Sequence, residues 1–132
     1  MDRLPVVREY MTRKLLTLKS DTEILEAVAF LLKHKISGAP VVDNDKHLVG
    51  VISEKDCLNL LTKGVSANVP HGSIAEFMTT EVETISPDMD LYYAAGLFLK
   101  RNYRRFPVVE DGVLVGQISR RDILRAIHYH LK

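Results

Sequence analysis

The chain has 132 residues, of which 46% are hydrophobic and 27% are charged, and its formal net charge is +1. This length suits one domain, or two very small units that share one core. The near-neutral charge excludes the global basic field that steers proteins onto nucleic acid or anionic membranes.

Other features of the sequence narrow the class of protein further. The longest apolar run, residues 27–32, is far too short to span a membrane, and residues 1–5 lack the apolar core of a signal peptide. Cys57 is the single cysteine, which excludes an internal disulfide and a cysteine-rich metal site. We therefore expect a cytoplasmic protein with no membrane or nucleic-acid partner.

The two halves of the chain repeat one pattern. One shift carries residues 9–12 onto 76–79, residues 40–42 onto 107–109 and, after a one-residue deletion, residues 48–56 onto 114–122. Such agreement indicates an internal repeat, which has to be recognised before a fold is assigned. We predict a first repeat with an N-terminal segment at 1–62, a linker at 63–72 and a second repeat at 73–132.

Each repeat begins with a short predicted strand and a long helix. The strand is Leu16-Thr17-Leu18 in the first repeat and Glu83-Thr84-Ile85 in the second. Ser20 and Glu23 form the pattern of a capping box, which predicts a helix opened by Ser20. The corresponding helix is predicted to open at Ser86, with Pro87 at its first position.

The long helices are apolar nearly all round. The main stripe consists of Ile24, Ala27, Val28, Leu31 and Leu32 in one helix and Leu91, Ala94, Ala95, Phe98 and Leu99 in the other. Further apolar residues lie off this stripe, namely Leu25, Ala29, Phe30, Tyr92, Tyr93 and Leu97. Such a helix has neighbours on more than one side. Core packing and a homodimer contact both explain the second group.

A predicted hairpin and a last helix complete each repeat. The turn is Asn44-Asp45 in the first repeat and Asp111-Gly112 in the second, and Asp-Gly between apolar runs is a strong hairpin signal. The second hairpin strand ends at Ser53 or Ser119, where the last helix begins. The predicted order is thus strand, helix, strand, strand, helix.

A Ser-x-x-Asp pattern marks the start of both last helices. Ser53 precedes Asp56 by three residues, as Ser119 precedes Asp122. The free N–H groups of a first helical turn suit a phosphate, and a carboxylate can accept hydrogen bonds from ribose hydroxyls. The same spacing also describes a plain helix cap. The two roles can coexist.

Two motifs in each repeat resemble those of cystathionine β-synthase (CBS) domains. Residues 50–56 and 116–122 are similar to the family's Gly-x-x-Ser-x-x-Asp signature, and residues 37–42 and 104–109 resemble its strand-start motif. The resemblance extends from about Val6 to Leu131 and identifies a stand-alone pair of CBS domains. It implies an α/β fold of two βαββα repeats about a pseudo-twofold axis, with two clefts that bind AMP, ADP, ATP or S-adenosylmethionine.

The resemblance also implies which residues line the two clefts, because each cleft combines the strand-start motif of one repeat with the Ser and Asp of the other. The first set is Thr17, Ser37, Gly38, Ala39 and Pro40 with Ile118, Ser119 and Asp122. The second set is Thr84, Arg104, Arg105, Phe106 and Pro107 with Ile52, Ser53 and Asp56. The arginines make the second set the better match for several phosphates.

We therefore expect a non-catalytic module that binds an adenine nucleotide and senses it for a separate, unidentified protein. A dimerisation scaffold with empty clefts is the alternative, although the intact Ser and Asp of both repeats argue against it. The sequence does not indicate an enzyme, because it shows no general base, metal cluster or phosphate-binding glycine loop. His128 and His130 face different directions on a terminal helix, and Cys57 is expected to be a core residue rather than a nucleophile.

Overall fold

The computed structural model describes residues 4–62, 65–66 and 69–131. The helices are α1 (Ile24–His34), α2 (Glu54–Leu58), α3 (Ile74–Phe77), α4 (Leu91–Lys100) and α5 (Arg120–His130), with 3₁₀ turns at Val7–Glu9 and Asn59–Leu61. The strands are β1 (Gly38–Val42), β2 (Leu48–Ser53), β3 (Val65–Ser66), β4 (Val69–Pro70), β5 (Arg105–Glu110) and β6 (Val113–Ser119). They pair in sequence as three antiparallel hairpins, so the fold combines helices with small sheets in two repeats.

The predicted linker is only partly described. Within it, β3 pairs with β4, while residues 63–64 and 67–68 lie outside the described residues. None of the helices in the described ranges is long and apolar enough to cross a membrane.

Two compact units make up the chain. The first-repeat unit consists of residues 16–82, and the second-repeat unit combines the residues up to Leu15 with those from Glu83 onward. Each unit has its own buried core. The first centres on Ile24, Ala27, Leu31, Val41, Ile52 and Ile74, and the second on Val7, Ile85, Ala94, Phe106, Val108 and Ile118.

The first strand predicted for each repeat forms a single parallel bridge to the hairpin. Leu18 pairs with Val41 in the first-repeat unit, and Ile85 pairs with Val108 in the second-repeat unit. Backbone hydrogen bonds of 2.9–3.0 Å surround each bridge. Each predicted three-residue strand is thus reduced to a single bridged residue, which pairs with the hairpin where the predicted order puts a strand.

A short helical segment from outside each repeat packs against the start of its long helix. The backbone bonds run from Val7 to Met89 and Arg8 to Pro87 in the second-repeat unit, and from Ile74 to Thr22 and Ala75 to Ser20 in the first-repeat unit. The Arg8 guanidinium adds a bond of 2.8 Å to Glu110. The N-terminal segment thus completes the second-repeat unit, as α3 completes the first.

The helix start predicted at Ser20 is wrong. Helix α1 begins at Ile24, and Glu23 stands at its N-cap without a side-chain cap. The N–H of Ile24 donates to the carbonyl of Gly72 at 2.8 Å, so a distant backbone satisfies the helix end that Ser20 was expected to cap. Ser20 lies in the preceding turn and receives the N–H of Ala75 on its carbonyl.

The start predicted at Ser86 and Pro87 is also four residues too early. Helix α4 begins at Leu91, and the carboxylate of Asp90 accepts from the backbone N–H three residues later at 2.8 Å. The N–H of Leu91 donates to the carbonyl of Pro5 at 2.9 Å. A tertiary backbone bond therefore receives the first N–H of the long helix in both repeats, and α4 has a local side-chain cap in addition.

Three of the five positions of the main apolar stripe are buried in each helix, and Val28 and Ala95 are half-buried. At the last position of the stripe, Leu32 is 73% exposed and Leu99 is 89% exposed. Among the off-stripe residues, Phe30 and Leu97 pack against the cores, whereas Leu25, Tyr92 and Tyr93 are exposed. Each long helix therefore buries one face and leaves apolar side chains on another.

Both predicted hairpin turns are present. Asp111 and Gly112 have positive φ values of 53° and 82°, as a two-residue type I′ turn requires. In the first repeat, the Asp43 carboxylate accepts from the N–H groups of Asp45 and His47 at 2.8 and 2.9 Å. These bonds hold the carboxylate in its charged form and keep the pKa of Asp43 below its ordinary value.

Candidate ligand-binding sites

The hairpin register brings the two CBS-like motifs of each repeat together. Gly38 pairs with Ser53 and Ala39 with Ile52 in the first-repeat unit, and Arg105 pairs with Ser119 and Phe106 with Ile118 in the second. The strand-start motif therefore lies beside the helix start of its own repeat. Each predicted cleft set also draws on both units, and that pairing remains a prediction.

Ser53 and Asp56 form a reciprocal cap at the start of α2. The Ser53 hydroxyl oxygen accepts the N–H of Asp56 at 3.1 Å, and Asp56 Oδ2 accepts the N–H and hydroxyl of Ser53 at 3.0 and 2.9 Å. Asp56 Oδ1 accepts the hydroxyl of Thr79 at 3.1 Å. Asp56 is half-buried, so its carboxylate is held in a fixed orientation and still reaches the surface.

Ser119 and Asp122 form the same cap at the start of α5. Asp122 Oδ2 accepts the N–H and hydroxyl of Ser119 at 2.8 and 3.0 Å, and the Ser119 oxygen accepts the N–H of Asp122 at 3.2 Å. Asp122 Oδ1 instead meets the guanidinium of Arg125 at 2.6 Å. Asp122 is 3% exposed, so this carboxylate is more enclosed than Asp56.

The sequence interpretation missed Thr79 and Arg125. Both contact a candidate aspartate directly, at Oδ1. Arg125 follows Asp122 by three residues on one helix, a spacing that brings side chains together and could have indicated the pair. Thr79 is recognisable only as part of a Met-Thr pair that recurs in both repeats, because its contact joins distant parts of the first-repeat unit.

Several predicted site residues have side chains in the cores. Those buried are Ala39, Pro40 and Ile52 in the first repeat and Phe106, Pro107 and Ile118 in the second. Phe106 packs edge-on against Phe98 and Tyr103, with ring centroids 4.8 and 5.4 Å apart. Such residues can offer a ligand their backbone but not their buried side chains.

Apart from the buried Asp122, the remaining predicted residues are accessible. Thr84 and Arg104 are exposed, while Thr17, Ser37, Gly38, Arg105, Ser53 and Ser119 are half-buried. These residues can therefore contact a ligand without a change in the core.

A group of four arginines surrounds the start of α5. Arg105 pairs with Ser119 across the hairpin, and the N–H of Arg120 donates to the carbonyl of Arg104 at 3.2 Å. Arg121 follows on the first turn of the helix and is exposed. The corresponding positions of the first repeat hold Ser37, Gly38, Glu54 and Lys55. The start of α5 is therefore more electropositive than the start of α2.

Close packing explains the glycine of each signature. A Cβ at Gly50 would lie 2.8 Å from both Met78 Sδ and the carbonyl oxygen of Thr79. At Gly116 it would lie 2.6 Å from Met11 Sδ. The glycines thus admit the segments that end at Met-Thr, and one of these segments supplies the hydroxyl that binds Asp56.

Cys57 and His130, which lie outside the CBS-like motifs, make structural contacts. Cys57 is half-buried and packs against the first core, and burial raises the pKa of its thiol above the ordinary value. Nε2 of His130 is 2.9 Å from the hydroxyl of Tyr10, which links α5 to the N-terminal segment.

These paired motifs and caps define a class of protein. The family model of the CBS domain matches residues 7–63 and 74–129. The chain therefore belongs to the CBS-domain family and contains two such domains in tandem.

Curated relatives are similar over most of the chain. The chain is 31% identical over 121 residues to uncharacterized protein MJ1225 of Methanocaldococcus jannaschii, which covers 92% of this chain and 42% of that protein. It spans less than half the length of the first curated relatives it matches.

Two solved structures are similar over nearly the whole chain. Arabidopsis thaliana CBSX2 in complex with AMP has a TM-score of 0.83 and 32% identity, covering 96% of this chain and 98% of that chain. The CBS domain pair of MJ0100 in complex with 5′-methylthioadenosine and S-adenosyl-L-methionine has a TM-score of 0.76 and 30% identity, with the same coverage.

Proposed function

We propose that this pair of CBS domains binds adenosyl compounds and senses them, without catalysis, for a separate protein in the cytoplasm. The observation that carries the proposal is the duplicated Ser-x-x-Asp cap, which in both repeats lies beside a strand-start motif. Similar CBS pairs solved with AMP, 5′-methylthioadenosine and S-adenosylmethionine support the choice of ligand class. AMP, ADP, ATP and S-adenosylmethionine are the candidate ligands.

The caps suit both halves of a nucleotide. Asp56 and Asp122 present carboxylate oxygens, which can accept hydrogen bonds from the hydroxyls of a ribose. The start of α5 carries the positive end of the helix dipole, and Arg104 and Arg105 add positive charge beside it. Such a helix start attracts phosphate. We therefore propose ribose recognition by the aspartates and phosphate recognition near the arginines.

Titration calorimetry with AMP, ATP and S-adenosylmethionine tests the proposal. Asp56→Asn and Asp122→Asn should each weaken one site by roughly ten- to a hundredfold, because a hydrogen bond to a charged group is lost. Arg104→Gln should weaken ATP binding more than adenosine binding, since adenosine carries no phosphate. Asp90→Asn is the matched control, because Asp90 also caps a helix but lies outside the CBS-like motifs.

A scaffold without a ligand is the second candidate. It is favoured by the fact that each Ser and Asp already satisfy one another as a helix cap. Failure of the wild type to bind any of the three compounds at millimolar concentration would support the scaffold. Binding that neither aspartate substitution weakens would instead place the ligand elsewhere.

We also propose that the protein is a homodimer. Leu25 and Leu32 on α1 match Tyr92 and Leu99 on α4 in position, and all four are exposed. Apolar side chains that recur at the surface are typical of an interface. Light scattering should give a dimer mass that Leu99→Lys reduces, whereas a monomeric wild type at micromolar concentration would contradict the proposal.

A further inference from the structure

The two signature aspartates differ in what occupies their second oxygen. Asp56 Oδ1 accepts a neutral hydroxyl, that of Thr79, at 3.1 Å. Asp122 Oδ1 meets the Arg125 guanidinium at 2.6 Å. The residue at the position of Arg125 in the first repeat is Asn59, which has no charge. The two repeats therefore differ in charge at the position that supplies the partner of Asp122, which holds Arg125 in the second repeat and Asn59 in the first.

We infer that Arg125 competes with ribose for Asp122, so that the two adenosyl sites are unequal and the Asp56 site fills first. This inference rests on the proposed function, because it concerns the same aspartates. Arg125 is then a specificity-determining residue that lowers the affinity of one site.

The ion pair places an opposite charge on the Asp122 oxygen that a ribose would use. Hydrogen bonds between a guanidinium and a carboxylate are shorter and stronger than those between neutral groups. The Asp122 side chain is 5% exposed, and its other oxygen is already held by Ser119. A ribose that approaches Asp122 therefore has to displace Arg125, whereas at Asp56 it displaces only a hydroxyl.

The displacement is also feasible. The Arg125 side chain is 56% exposed, so its guanidinium can move into water when a ligand arrives. Arg125 Nη2 also donates to the carbonyl of Tyr10 at 3.4 Å, a long bond that adds little to the cost of release. The second site is therefore weakened rather than abolished.

Calorimetry with AMP and with 5′-methylthioadenosine provides the test, because the second compound presents ribose without phosphate. The wild type should show one stronger and one weaker site. Arg125→Asn gives the second repeat the residue of the first, and it should strengthen the weaker site by about tenfold or more. Loss of a merely structural residue would not increase affinity.

Two further variants make the result specific. Arg121→Asn removes a positive charge from the same helix but makes no ion pair among the residues described, so it should not strengthen the weaker site. In the double variant Asp56→Asn, Arg125→Asn, the strengthened site should remain, which assigns the gain to Asp122. If Arg125→Asn fails to fold cooperatively, Arg125→Gln replaces it with the same expectation.

The outcomes separate this inference from the proposed function. Two equal sites in the wild type, or unchanged affinities in Arg125→Asn, would overturn the competition while leaving adenosyl binding intact. Absence of binding in the wild type and in Arg125→Asn alike would overturn the proposed function and the inference with it. A second site that becomes measurable only in Arg125→Asn would confirm the competition.

Discussion

Substitution of Gly50 by alanine should destabilise the first-repeat unit and disturb its candidate site together. The added Cβ would lie 2.8 Å from Met78 Sδ, which can move, and 2.8 Å from the Thr79 carbonyl oxygen, which is backbone. That carbonyl accepts the N–H of Val51 at 2.9 Å, and the N–H of Thr79 donates back at 2.9 Å. Because Thr79 also binds Asp56, its displacement removes a contact from the carboxylate.

The size of the effect follows from these contacts. Overpacking by one methyl group costs about 1–3 kcal/mol, and loss of the two backbone bonds adds roughly 1–3 kcal/mol. We therefore expect Gly50→Ala to lower the free energy of unfolding by at least about 2 kcal/mol. Urea denaturation followed by circular dichroism measures this change as a lower midpoint at constant slope.

Substitution of Gly96 by alanine is a control that should change the stability in the opposite direction. It lies within α4, and a Cβ there would meet nothing within 4 Å. Gly96→Ala should therefore stabilise the protein by about 0.5–1 kcal/mol, because alanine favours the helix. Both variants are compared with the wild type at one protein concentration, since self-association would add to the apparent stability. Wild-type stability in Gly50→Ala, or changes of the same sign in both variants, would refute the reasoning.

Two further predictions concern titratable groups of the first-repeat unit. The pKa of Asp43 is lowered from 3.8, chiefly by the backbone N–H of His47, so its contribution to stability is present above pH 3.8 and is lost as acid protonates it. The difference in unfolding free energy between the wild type and Asp43→Asn should therefore shrink below that pH, and a constant difference would contradict this. Burial raises the pKa of Cys57 above 9.0, and the charges of Asp56 and Glu54 act in the same direction. Iodoacetamide should thus alkylate the native thiol slowly at neutral pH and the urea-unfolded thiol rapidly, whereas equal rates would exclude a protected cysteine.

Local chemistry in the sequence was sufficient to predict the hairpin turns and the helix caps at Ser53 and Ser119. Asp111-Gly112 predicted a turn because its two residues tolerate positive φ, and the turn is present. Ser53 and Ser119 predicted helix starts because serine can accept the N–H of the third residue after it, and both do so. Each of these features depends on atoms only a few residues apart.

Tertiary structure, rather than a local cap, decided where α1 begins. Ser20 has the local pattern of a cap, yet α1 begins at Ile24 because the Gly72 carbonyl receives its N–H. The same factor determined which segment completes which unit, since Met11 packs against Gly116 rather than within its own repeat.

The different partners of the two aspartates are likewise not given by the Ser-x-x-Asp motif. Asp56 and Asp122 occupy equivalent places in the repeat, but one meets Thr79 and the other Arg125. The sequence determines which residues can cap, turn or pair locally, because those bonds span three or four positions. Contacts between these residues and a distant carbonyl, hydroxyl or sulfur form only when the chain packs, because they depend on the tertiary structure of the whole unit.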